Sequence, residues 1–159
     1  MPRTVMRDGI AIEANLRIER RSLDGRLLGA IEVANLVVTV GRNLVRDFLS
    51  GAAVTALSEF AIGTGSAAPA NTDTQLVTEV FRDIFTSVSS PMDGQLQIQY
   101  YLGSTSANGY TISEAGLFGN GATAAANSGT LYARGTFAGE AKDSTQAWTF
   151  TWTLNFTAS

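Results

Sequence analysis

Residues 10–18 alternate in polarity. Ile10, Ile12, Ala14, Leu16 and Ile18 fall on one side, and Ala11, Glu13, Asn15 and Arg17 on the other. This period of two marks a half-buried strand. Asp24-Gly25 follows, a dipeptide that favours a two-residue hairpin turn because it tolerates positive φ. A turn there sets Leu16 opposite Val33, Ile18 opposite Ile31 and Arg17 opposite Glu32. The apolar pairs then share one face and the opposite-charge pair sits on the other, so the register is self-consistent. The second strand is expected from Leu27 to about Val40, ended by Gly41.

The period then changes. Leu44, Val45, Phe48 and Leu49 share a helical face, and Gly51 is placed to cap its end. Phe60-Ala61-Ile62 reads as a short buried strand and 63–70 as a loop by composition. Thr72-Asp73-Thr74-Gln75 has capping-box spacing ahead of Leu76, Val77, Val80 and Phe81. Residues 81–88 read equally well as a strand, so 72–88 stand open between helix and strand. Pro91–Gly94 and Asn108-Gly109 mark turns around an alternating strand, Gln95–Leu102, with Leu96, Ile98, Tyr100 and Leu102 inward.

Strands over 110–118 and 131–137 flank an Ala/Gly/Asn loop at 119–129. That loop lacks any large side chain and is expected to be exposed, and mobile unless a partner orders it. The last segment, 147–157, alternates most cleanly. Trp148, Phe150, Trp152, Leu154 and Phe156 share one face; Thr149, Thr151, Thr153, Asn155 and Thr157 share the other. It would extend roughly 35 Å at about 3.3 Å per residue. Its uncharged Thr face is one that a solitary edge strand avoids, so a cover over it is expected. The fold class predicted is mainly β: a single-domain antiparallel β-sandwich or barrel-like sheet with one or two short helices. Residues 10–159 form the β-rich domain and 1–9 an N-terminal arm.

Composition narrows the chemistry. The 159 residues contain no Cys and no His, which removes disulfides, thiol nucleophiles, the commonest metal ligand and every Ser-His-Asp triad. Charged residues make up 16%, against about 25% in typical globular proteins. Ala, Thr, Gly and Ser number 22, 18, 16 and 13, a small-residue surface suited to an interface. The net charge of −3 is unevenly spread. Residues 1–46 hold eight Arg and five acids, whereas 47–159 hold three basic residues and nine acids. A basic end on an acidic body fits head-to-tail contact between copies or docking on an acidic partner. The alternative is that the arginines are the solvated face of a hairpin. The acidic balance argues against nucleic-acid binding. No apolar run is long enough to span a membrane, and the first residues lack the apolar stretch of a secretory leader. The Asn155-Phe156-Thr157 sequon is read as chance.

Candidate sites are sparse. Gly63-Thr64-Gly65 opens a Gly-rich loop, but no Lys-Ser or Lys-Thr follows, so it is not a phosphate-binding loop. Glu59, Asp73, Glu79, Asp83 and Glu114 offer carboxylates without a spacing that favours a catalytic pair. Trp148 and Trp152 could stack on a sugar, yet their interleaving with Phe150 and Leu154 favours a core. Arg82 and Arg134 sit inside apolar segments and should each pair with an acid. No catalytic residue, metal ligand or cofactor is expected. The interface candidates are Arg3, Arg7, Arg17, Arg20, Arg21 and Arg26, with Thr149, Thr151 and Thr153.

One ordered set of segments carries a family likeness: Asn35-Leu36-Val37-Val38 with Gly41-Arg42-Asn43; Phe60–Gly65 with Ala68-Pro69; Asp73-Thr74-Gln75-Leu76 with Glu79-Val80 and Arg82; Ile112–Phe118; Gly129–Arg134; and Lys142-Asp143 leading into Trp148–Trp152. From about residue 10 onward the chain resembles small structural proteins of tailed-bacteriophage virions. The resemblance implies a β-rich, non-enzymatic virion component. The resemblance does not place the protein at one position on the virion; a small stand-alone domain without a fibrous repeat or coiled-coil heptad suits a capsid decoration (cement) protein that stabilises contacts between major capsid proteins, as a homo-oligomer with a trimer favoured. The alternative is a tail, baseplate or fibre-attachment component bound to other virion proteins. An alternative of another class is a carbohydrate-binding β-sandwich module using Trp148, Trp152, Tyr100 or Tyr101. Neither nucleic acid nor membrane is an expected partner.

Overall fold

The structure, a computed structural model, describes residues 9–159. The expected hairpin forms from β1 (Ile10–Ser22) and β2 (Leu27–Val37), with Gly25 at φ +89° in the turn. Leu16 faces Val33, Arg17 faces Glu32 and Ile18 faces Ile31, and the register slips only at Arg20/Arg21, near the tip. Then follow α1 (Thr39–Leu49), β3 (Leu57–Gly63), β4 (Glu79–Ile84), β5 (Ser87–Ser89), β6 (Gln95–Leu102), β7 (Thr111–Gly119), β8 (Thr130–Ala141) and β9 (Gln146–Ala158). All nine strands join one antiparallel sheet in the order β4-β3-β7-β8-β2-β1-β9-β6-β5.

The sheet is curled into a half-barrel. Phe60 of β3 stacks on Tyr100 of β6 at 4.3 Å between ring centroids, although five strands separate them in the sheet. Phe150 and Trp152 close on the same Phe60 ring at 4.7 and 5.5 Å. One segment joins the two margins: β4 ladders with β3, Phe85 N–H reaches the Ser58 carbonyl, Thr86 N–H reaches the Gln99 carbonyl, and β5 ladders with β6. The inner face is the main core, with Leu16, Ile18, Phe60, Trp148, Phe150 and Trp152 fully buried.

A second layer covers half of the outer face. Ala61, Phe118 and Leu131, on the outer side of β3, β7 and β8, pack with Val38 and Leu76. Leu76 belongs to the long connection between β3 and β4. α1 lies against β8, where Gly41 allows the closest approach: a Cβ there would overlap the Tyr132 carbonyl oxygen.

The open choice over residues 72–88 resolves without a helix: they run irregularly and then form β4 and β5. Three expectations are corrected. β2 ends at Val37, and Gly41 lies inside the helix rather than ending a strand. β8 continues to Ala141 through a bulge. β9 is a central strand laddered to both β1 and β6, so its Thr face needs no cover on edge grounds. Residues 1–8 of the expected arm lie outside the described residues. Gly9 is tied to the body by the Ser159 N–H at 2.9 Å.

Candidate functional site

The expected acid partners of Arg134 and Arg82 are present. Glu114 is fully buried. Its Oε1 accepts the Gly65 and Thr78 N–H groups at 3.0 and 2.8 Å, and its Oε2 accepts Val77 N–H and Arg134 Nε, both at 3.0 Å. Arg134 also donates to Asp73 and to the Ala67 carbonyl, both at 2.8 Å. The connection 64–78 is thereby pinned across the outer face of β7 and β8. Arg82 forms a two-pronged pair with Glu79 at 2.7 and 2.8 Å, lies 4.0 Å over the Phe118 ring, and donates to the Ser128 carbonyl. Together with the Asn127 N–H to Glu79 bond, it tethers the mostly exposed 119–129 loop.

These carboxylates are committed to structural bonds. Asp83 accepts from the Tyr100 hydroxyl at 2.9 Å. Glu59 differs: it is 5% exposed, its Oε2 has no partner, and burial raises its pKa against the opposing pull of Arg82. Among the described residues, no three His, Cys, Asp or Glu gather where a metal ion could bind, and no helix is long and apolar enough to cross a membrane. Sequence reading named Lys142, the chain's one lysine, only within the family likeness and gave it no place in the structure. It is buried and donates to Asn108 Oδ1 at 3.0 Å and to the Asp143 carbonyl at 2.8 Å, and burial lowers its pKa. Its position beside Asp143 at a strand end was the available signal.

The other half of the outer face, over β2, β1, β9, β6 and β5, has no second layer. Ladder registers fix its rows. One runs Glu32, Arg17, Thr151, Gln99, Ser87; the next runs Ala34, Asn15, Thr153, Gln97, Ser89; a third runs Ala30, Glu19, Thr149, Tyr101. Gln99 Nε2 donates to Thr151 Oγ1 at 3.3 Å, and Gln95 Nε2 to Asn155 Oδ1 at 2.9 Å. Arg17 bonds Glu32 and Glu19, and Arg21 bonds Glu19 at 3.1 Å. These bonds lower the Glu19 pKa and raise that of Arg17. The surface is therefore a hydroxyl-and-amide lattice with a compensated charge cluster at one border.

Five interface candidates meet here: Arg17, Arg21, Thr149, Thr151 and Thr153. Arg20 is drawn away to Glu140 at 2.9 Å, Arg26 stands exposed at the hairpin turn, and Arg3 and Arg7 lie outside the described residues. Three of the hairpin arginines, Arg17, Arg20 and Arg21, are already paired with glutamates, so their charge is compensated within the chain. Compared with protein-family models, curated proteins and solved structures, the chain matches none.

Proposed function

We propose that this protein is a non-enzymatic structural component of a tailed-bacteriophage virion. In this reading it is a capsid decoration protein whose open sheet face bridges major capsid proteins. The observation that carries the reading is the asymmetry of the outer face. The chain covers one half with its own helix and a pinned connection, and leaves the other half as an open lattice of Thr, Gln, Ser and Asn. Polar rows of this kind suit a wet, hydrogen-bonded protein contact. The resemblance of the ordered segments supports the virion setting.

The carbohydrate alternative has lost most of its platform. Trp148 and Trp152 are fully buried and Tyr100 is 5% exposed, which leaves Tyr101 without a second stacking ring from that set. The test is an electron-microscopy map of intact particles, combined with mass spectrometry of their proteins. Density at junctions of capsid subunits, contacting Thr151 and Gln99, is the expected result. Absence from purified particles overturns the virion role. Density confined to the tail replaces decoration with a tail or baseplate assignment.

A further inference from the structure

Glu59 is the buried acid that the structural bonds leave over. It shares the outer side of β3 with Ala61, and its ladder partners are Phe118 on β7 and Ile84 on β4. Arg82 stands opposite Ala61. It is therefore the diagonal neighbour of Glu59, at a spacing of about 7–8 Å that a long side chain bridges. Arg82 nevertheless spends its donors elsewhere, two prongs on Glu79 and one on the Ser128 carbonyl. Glu59 Oε2 is left buried without a partner.

The charges around this acid are few. β4 contributes Arg82, which favours the ionised form, and Asp83, which opposes it, with Glu79 on the other side of Arg82. Phe118 carries no charge, and neither 51–56 nor 119–129 contains a titratable side chain. Burial outweighs the pull of Arg82, so the neutral acid persists above the ordinary carboxylate range. Once ionised, the carboxylate needs a cation, and among the described residues Arg82 is the one beside it.

Arg82 is also the clasp of the 119–129 loop. At one end of the loop, the Asn120 and Gly121 N–H groups reach the Thr55 carbonyl and hydroxyl at 3.3 and 3.1 Å. At the other, Arg82 holds the Ser128 carbonyl at 2.9 Å and Glu79 accepts the Asn127 N–H at 3.1 Å. Between these ends, Thr123 and Ala125 bond only within the loop.

We propose that this loop is a flap worked by protons: with Glu59 neutral, Arg82 and Glu79 hold residues 127–128 down, and ionised Glu59 takes Arg82 from Ser128 so that the flap lifts about its Thr55 end. Lifting uncovers the Phe118 ring, over which Arg82 lies, and the outer apolar cluster on which Ala122 packs. The closed flap holds the Glu59 proton more tightly than the lifted one. The ratio of lifted to closed flap should therefore rise by up to about tenfold for each pH unit above the ordinary Glu59 value of 4.5, until the folded pKa is passed.

The test is hydrogen exchange on the purified full chain, with each rate divided by the intrinsic rate at the same pH. The Asn127 amide, bonded to Glu79, reports the lifted fraction. Its protection should fall about tenfold between about pH 4.5 and pH 7, and it should exchange much faster than the Leu16 and Trp152 amides of the central ladder. In Glu59→Gln the Asn127 protection should keep its low-pH value throughout, and Glu59→Met, a second neutral side chain, should behave alike. Constant protection in wild type overturns the proposal. So does a fall that persists in both neutral variants, or an Asn127 amide that exchanges only as slowly as the central ladder.

Discussion

Glu114→Ala should cost more stability than any change on the open face. The carboxylate accepts four hydrogen bonds, and its removal leaves three backbone N–H groups and the Arg134 guanidinium short of an acceptor. At about 1–3 kcal/mol for each buried group left unsatisfied, the sum is roughly 4–12 kcal/mol. Relaxation and entering water reduce it, and breaking a buried ion pair typically costs about 3–5 kcal/mol. That is a large part of a domain stability of roughly 5–15 kcal/mol. Glu114→Gln should rescue little, because its amide NH2 would face two donors whichever way it turned. Arg17→Ala, on a side chain 46% exposed, should leave the unfolding midpoint close to that of wild type, because solvent screens exposed ion pairs. Urea unfolding followed by the fluorescence of buried Trp148 and Trp152 measures all three variants. Limited proteolysis adds a local readout, since 64–78 should become cleavable in Glu114→Ala before the domain unfolds. A Glu114→Ala variant within about 1 kcal/mol of wild type, with 64–78 still protected, would refute the assignment of Glu114 as the pin.

Trp152→Ala should lower stability by about 3–5 kcal/mol, whereas Thr151→Ala should stay within about 0.5 kcal/mol of wild type; thermal melts of both decide it. Glu59 supplies a pH dependence. Its folded pKa lies above the ordinary 4.5, so its contribution is complete below that value and is lost as pH rises through the folded pKa. Glu59→Gln removes this loss. Its melting temperature relative to wild type should therefore rise between about pH 4 and pH 7, and a constant difference would show that burial does not raise the Glu59 pKa.

The local pattern was legible where neighbours in sequence are neighbours in space. The hairpin register and the two faces of β9 follow from alternation and one Asp-Gly turn, and the structure keeps both. Pairing of Arg82 and Arg134 with acids was legible because a charge inside an apolar run needs a partner. Which acid was not, since Glu114 is brought to Arg134 by the β7–β8 ladder. Residues 72–78 stayed open between helix and strand for a related reason. The Val77 and Thr78 N–H groups that a helix would use are taken by Glu114, more than thirty residues away in the chain. The polar row of β9 was legible in its threonines, but a cover over it was expected; that the face is open and broad depends on β9 being central and on Asn15, Gln97 and Gln99 from two other strands.

The pairing of β1 with β9 makes the first strand of the sheet wait for the last. Leu16 meets Trp152 in that ladder, about 136 residues later in synthesis, or roughly 7–27 s at about 5–20 residues per second. The β1–β2 hairpin can form early from local contacts alone. Its apolar side, with Leu16, Ile18, Ile31 and Val33, then has no Trp148, Phe150 or Trp152 to cover it until β9 has been made. Yield in the cell should therefore depend on what shields that hairpin during translation, and slower elongation should lengthen its exposure.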